Sequence, residues 1–183
     1  MEVKKASPSK PAIKWALIGL IASIVITYAF QFLNVDPTSS AKYINYLVFI
    51  GFLCLTQQEY RNDLGGYMTF GEGFLSGFLY SLFLGILTAV FLYVYYAILS
   101  PEMAEKILSS TQAQLEAKGT LTPEQVETAM SMTRKYFAIF AVAGAFFGSL
   151  VMGVVVALIG AAIFKKEKPP FATDVADSYD PTV

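Results

Sequence analysis

Four long stretches of this chain carry no Asp, Glu, Lys or Arg: residues 15–35, 43–58, 73–99 and 136–164. Apolar runs of about 17–25 residues match the length a helix needs to cross roughly 30 Å of hydrocarbon. A helix satisfies every backbone N–H and C=O within its own segment, so it is the natural way to span. The pattern predicts an all-α integral membrane bundle of four transmembrane helices. The spans fall at about 13–34, 42–59, 72–99 and 136–164, within a transmembrane domain over 12–166. Across the 183 residues only 15% are charged, against about 25% in soluble domains.

The second run is the shortest. Its apolar part, Tyr43 to Thr56, contains Asn45 and must borrow Gln57 and Gln58, or the residues before Tyr43, to span; a shallow or re-entrant segment is the alternative. The first run follows Lys4, Lys5, Lys10 and Lys14, as a secretory leader would. Its apolar part is too long for such a leader and no Ala-x-Ala site follows it, so it reads as a retained helix.

Basic residues near span ends set orientation. With both termini cytoplasmic, the inner side holds Lys4, Lys5, Lys10, Lys14, Arg61, Lys165, Lys166 and Lys168. The outer side holds Lys42, Lys106, Lys118, Arg134 and Lys135. Trp15, Tyr43, Tyr46, Tyr93, Tyr95, Tyr96 and Tyr136 stand near span ends, where amphipathic rings settle at headgroup level.

Residues 100–135 form the longest segment outside the runs and read as an outer helical hairpin. Ser100-Pro101 supplies an N-cap with proline at the first helical position. Met103, Ile107, Thr111 and Leu115 recur every four residues with Leu108 beside them, a greasy face. Gly119 is a helix stop. Thr122 and Gln125 fit a capping box, with Leu121 and Val126 as its hydrophobic staple. Nothing in the sequence breaks the helix between Val126 and Phe164, so the fourth span should project by about 20 Å. Residues 1–11 and 167–183 lack apolar periodicity and are expected to be unstructured and cytoplasmic.

Small residues form two ridges. Gly73, Gly77, Ser81, Gly85 and Ala89 fall four apart in the third run. Ala141, Ala145, Ser149, Gly153, Ala157 and Ala161 do so in the fourth, and Gly144 with Gly148 adds a GxxxG pair on a neighbouring face. Lipid tails give helices no hydrophobic reason to associate, so close backbone approach must supply the attraction. The expectation is tight pairing of the third and fourth spans, with one ridge left for another subunit as the alternative.

Chemistry is sparse. The spans hold no ionisable group of the kind that proton relays, ion pathways and voltage sensors use. Thr27, Gln31, Asn45 and Thr88 are the main polar groups there. Histidine is absent and Cys54 is the single cysteine, a small buried apolar residue by this reading. No CxxC, HExxH or P-loop occurs. The expectations are therefore no enzyme activity, no cofactor, no metal and no nucleic acid. The bilayer is the partner, with a homo-oligomer or a membrane-complex partner beyond it. A structural or accessory component of a membrane assembly fits best; a small-solute permease or channel formed by an oligomer is the alternative, since hydroxyls or carbonyls can line a pore.

The loop from Glu59 to Gly73 is the most distinctive text. Gly65-Gly66 permits a tight turn, and Thr69 with Glu72 fits a second capping box. Arg61 has lipid phosphate, Glu59, Asp63 or Glu72 as candidate partners, and the loop could dock a cytoplasmic partner. The string Tyr60-Arg61…Gly65-Gly66-x-Met68-Thr69-Phe70-Gly71 resembles the signature of a family of bacterial inner-membrane proteins, the domain of unknown function numbered 4199. The hairpin around Pro101-Glu102-Met103 and Pro123-Glu124-Gln125-Val126 is similar too, as is the ending Ala162-Ile163-Phe164-Lys165-Lys166. That resemblance implies a four-helix protein of the inner membrane, mainly in Bacteroidetes. It brings no activity and no catalytic residue.

Overall fold

The computed structural model describes residues 6–33, 35 and 43–167, and all five of their long segments are helical. Helix α1 covers Ser9–Phe32, α2 Tyr43–Asp63, α3 Phe70–Val94, α4 Pro101–Lys118 and α5 Pro123–Phe164. Among the described residues there is no β-strand, only an isolated bridge between Met68 and Lys166. Among the described residues, three helices are long and apolar enough to cross a membrane: α1, α3 with its extension to Leu99, and α5. Helix α2 is not in that group; it has 21 residues, and its last two turns carry Gln57, Gln58, Glu59, Arg61 and Asp63.

The chain divides into two compact units. The first joins the part up to Ser81 with the part from Gly153 onward. Its interior is rich in small and polar residues, with Ala12, Ala16, Thr56, Gln57, Ser76, Ser81, Ala157 and Ala161 fully buried beside the larger Leu53, Met68 and Tyr80. Its outward side chains are large and apolar, with Ile21 61%, Leu47 67% and Ile163 71% exposed. Water would penalise that arrangement heavily, whereas hydrocarbon does not. It is the distribution of a membrane protein.

Helix α1 buries Pro11, Ala12, Ala16 and Gly19, a face of small residues, and packs on α2. The Trp15 and Phe52 rings meet at 5.6 Å. A Cβ on Gly19 would lie 3.1 Å from the Tyr80 hydroxyl and 3.4 Å from the Phe52 ring. The helix begins at Ser9, inside the stretch expected to be unstructured; this extends the small face down to Pro11 and Ala12. The expectations for residues 1–5 and 168–183 lie outside the described residues.

The second unit runs from Leu82 to Met152. There α3 ends in a π-helical turn, Tyr95–Leu99, closed by the Ser100 N–H on the Tyr95 carbonyl at 2.8 Å. Ser100 occupies the N-cap of α4 with Pro101 behind it, yet its hydroxyl makes no capping bond. Gly119 ends α4 at φ +61°, the left-handed conformation that glycine adopts without steric cost. Thr122 and Gln125 then exchange both bonds of the capping box: Thr122 N–H to Gln125 Oε1 at 2.9 Å and Gln125 N–H to Thr122 Oγ1 at 3.4 Å.

Leu108, Val126 and Met130 form the buried centre of the hairpin, with Leu115 and Phe137 against them. The greasy face is thus centred on Leu108 rather than on the Met103–Ile107–Thr111 line; Ile107 is 40% exposed. One residue of offset is 100° on a helix, enough to change which side chain meets the partner. Helix α5 is also not unbroken, because Tyr136 departs from helical geometry (φ −113°, ψ 15°). Neither Pro nor Gly occurs at that point to mark the kink. The neighbouring Phe137 ring packs edge-on against Tyr96 at 5.1 Å.

Candidate functional site

The polar chemistry of the first unit gathers where α1 starts, α2 ends, α3 starts and α5 ends. Helix α2 stops in a Schellman turn. The Gly65 N–H reaches the Asn62 carbonyl and the Gly66 N–H the Arg61 carbonyl, both at 2.9 Å. Gly65 and Gly66 hold φ of +79° and +88°. The next three residues lead straight into α3, whose capping box closes through Thr69 and Glu72. The Thr69 N–H and hydroxyl both donate to Glu72 Oε2 at 2.9 Å, and the Glu72 N–H returns to Thr69 Oγ1 at 3.3 Å.

Met68 ties this loop to the end of α5. Its N–H donates to the Lys166 carbonyl at 2.8 Å, and the Lys166 N–H donates back at 2.9 Å. The Met68 side chain is almost fully buried, as is Tyr60. Burial pushes the Tyr60 hydroxyl above its ordinary pKa, and the Glu72 carboxylate adds to the shift. Phe70 and Gly71 of the motif open α3; Phe70 is exposed, and a Cβ on Gly71 would meet nothing within 4 Å.

Glu59, one of the candidate partners of Arg61, is engaged elsewhere. Glu59 accepts from Lys14 Nζ, and from Trp15 Nε1 at 2.7 Å, joining α1 to α2. Arg61 instead lays its guanidinium over the Phe164 ring, 5.7 Å from the centroid. Its Nε is buried and without a hydrogen-bond partner. Lys166 sits over the Tyr67 ring at 5.4 Å.

Gln57 is the polar residue that sequence reasoning passed over. It was needed only for span length, yet it is fully buried and ties three helices together. Its side-chain nitrogen donates to the Gly73 carbonyl of α3 and the Ala157 carbonyl of α5, each at 3.0 Å. Its Oε1 accepts no hydrogen bond and packs against Gly160, where any Cβ would overlap it. The signal was present: a glutamine beside an apolar run must find partners when a helix packs.

The small residues meet in pairs. In the first unit, a Cβ on Gly73 would lie 3.2 Å from Ala161, and one on Gly77 2.8 Å from the Ala157 methyl and 3.1 Å from Leu53. The Ser81 side chain fills the space a Gly153 side chain would need. In the second unit, Ser149 does the same to Gly85. Ala89 and Ala145 are partly buried. By contrast, a Cβ on Gly144 or Gly148 would meet nothing within 4 Å.

The buried hydroxyls turn inward on their own helices. Thr56 donates to the Phe52 carbonyl at 2.8 Å, Ser76 to Gly73 at 2.9 Å and Ser81 to Gly77 at 3.0 Å. Thr27 bonds the Ser23 carbonyl and lies exposed, as does Gln31. Asn45 Oδ1 and the Tyr80 hydroxyl are buried without partners. Among the described residues no three His, Cys, Asp or Glu side chains gather in a group able to hold a metal ion.

No curated protein and no solved structure matches the chain. A family model does, from residue 14 to residue 166, that is, from the lysine that pairs with Glu59 to the lysine that pairs with Met68. By that match the chain belongs to the family described as protein of unknown function DUF4199.

Proposed function

We propose that this integral membrane protein is a non-enzymatic structural or accessory component of an assembly in a bacterial inner membrane. It crosses four times, with both termini cytoplasmic and the hairpin of residues 100–135 in the periplasm. The fourth pass is α2. Support for it comes from the shared location of four helix ends: Lys14 and Glu59 join the start of α1 to the end of α2, and Met68 and Lys166 join the start of α3 to the end of α5. Strict alternation of four passes needs that grouping. The excess of lysine and arginine at these ends favours the cytoplasmic side.

The observation that carries the assembly reading is the division of labour on α5. One small face is filled by α3, while Gly144 and Gly148 leave a second one open. Close approach of helices is what drives association inside a bilayer. The inner polar groups, by contrast, are spent on holding helices together: Gln57 on two carbonyls, and the serine and threonine hydroxyls on their own turns. None is arranged as a nucleophile with its base. Part of the hairpin's apolar surface is buried within it around Leu108, while Ile107 and Met132 stay exposed, so the hairpin and the inner loop are both open for contact.

Extraction in a mild detergent followed by native mass measurement tests this. The expected particle contains more than one 20.0 kDa chain or a stoichiometric second protein. A uniformly single-chain particle across several mild detergents contradicts it.

A further inference from the structure

We propose that Arg61 and Lys166 form a binding site for the phosphate oxyanion of an anionic lipid headgroup, at the junction of the motif loop with the end of α5. The neighbouring carboxylates are already satisfied. Glu59 is held by Lys14 and Trp15, Glu72 by Thr69, and Glu167 by Lys165 at 2.9 Å. Asp63 stands two positions beyond Arg61, a spacing at which helix side chains do not face each other. Among the described residues, Arg61 and Lys166 are therefore cations with no anion.

Their positions are fixed rather than free. The Phe164 ring backs the Arg61 guanidinium, and the Tyr67 ring backs the Lys166 ammonium. The Met68–Lys166 bridge locks the lysine backbone beside the loop. Arg61 Nε is buried with no acceptor, which leaves a donor of a charged group unsatisfied. Burying such a donor without a partner is costly, so the guanidinium is left short of acceptors. Guanidinium matches phosphate through parallel N–H donors, while lysine adds a point charge. Phe164 is the last residue of an apolar helix and Lys165 begins the basic end, so the pair lies where hydrocarbon gives way to headgroups.

The test uses the full chain in a maltoside detergent free of phosphate, with thermal unfolding as readout. The probes are dioleoyl phosphatidylglycerol, dioleoylglycerol with the same chains and no phosphate, and inorganic phosphate. Phosphatidylglycerol should raise the melting temperature and dioleoylglycerol should not. Arg61→Gln and Lys166→Gln should each weaken the apparent lipid affinity about tenfold, the loss of one charge-assisted contact. Arg61→Lys should retain part of it, and Lys118→Gln, on the hairpin, all of it. A stabilisation by inorganic phosphate with the same dependence on Arg61 and Lys166 would support the site and assign it to a free anion. Equal stabilisation by dioleoylglycerol, or a phosphatidylglycerol effect unchanged in the variants, would overturn it. Lys166 has an exposed side chain outside the helices, so its variant carries the test if Arg61→Gln does not fold.

Discussion

Ser81 occupies the volume that a side chain at Gly153 would need, so the two residues are a matched pair, one on α3 and one on α5. Gly153→Ala should lower stability by about 1–3 kcal/mol through overpacking. Gly153→Leu and Gly77→Leu should disturb folding and expression more. Pairing Gly153→Ala with Ser81→Gly should recover most of the loss, because the added methyl then has room. Gly144→Ala, which meets nothing, serves as the comparison. Denaturation in detergent checks all five; equal effects of Gly153→Ala and Gly144→Ala would count against the seam.

Gln57 gives a second contrast. Its two bonds go to carbonyls already used by their own helices, and side-chain bonds between membrane helices are worth only about 0.6 kcal/mol on average. Gln57→Leu should therefore cost little. Gln57→Glu should be severe, since it removes the donor and turns an acceptor, or a buried charge, toward two carbonyls. Its stability should recover partly as pH falls, because protonation restores both neutrality and a donor. Unfolding of the two variants across pH 5–8 would separate these outcomes.

The inner loop should behave as a capped turn. Thr69→Ala removes the hydroxyl that serves Glu72 and should cost about 1 kcal/mol. Gly65→Ala forces a left-handed backbone on a residue with a Cβ and should cost about 1–2 kcal/mol, although no neighbour crowds the site. If Gly65→Ala were neutral in chemical denaturation, the Schellman turn would not be the element holding the loop.

In the hairpin, Leu108→Ala should cost about 2–5 kcal/mol of local stability, while the adjacent Ile107→Ala should cost far less. Hydrogen exchange over residues 101–135 can read both. The ordering tests the face assigned to α4 directly.

Much of this was legible because local chemistry determines it. Thr69 with Glu72, Thr122 with Gln125, and Gly119 each satisfy helix ends using only near neighbours, and spacing alone reveals them. The small ridges were legible for a related reason, since a four-residue step marks one helix face. What sequence could not show depends on the partner helix. Leu108 rather than Ile107 faces inward because α5 approaches from that side. Gln57 looked like the polar end of a short span until α3 and α5 placed two carbonyls before it. Arg61 had three carboxylates in reach by sequence, and the one nearest in chain order among those before it, Glu59, went to Lys14 and Trp15, some 45 positions away. The start of α1 at Ser9 became readable only with its small face packed, although Ala12, Ala16 and Gly19 were spaced for it.

If the chain works within a larger membrane assembly, crosslinking from the open face of α5 should capture its neighbour. In a Cys54→Ala background, Gly148→Cys would be placed in native membranes, labelled with a short thiol-reactive benzophenone and irradiated, because the apolar run offers C–H bonds and no amine for capture. A discrete product larger than the 20.0 kDa chain is expected, containing either a second copy or one recurrent protein, and it should be absent when the cysteine sits at Ile21 on α1 instead. A chain that stays single from Gly148, in membranes where the protein is folded, would contradict the claim.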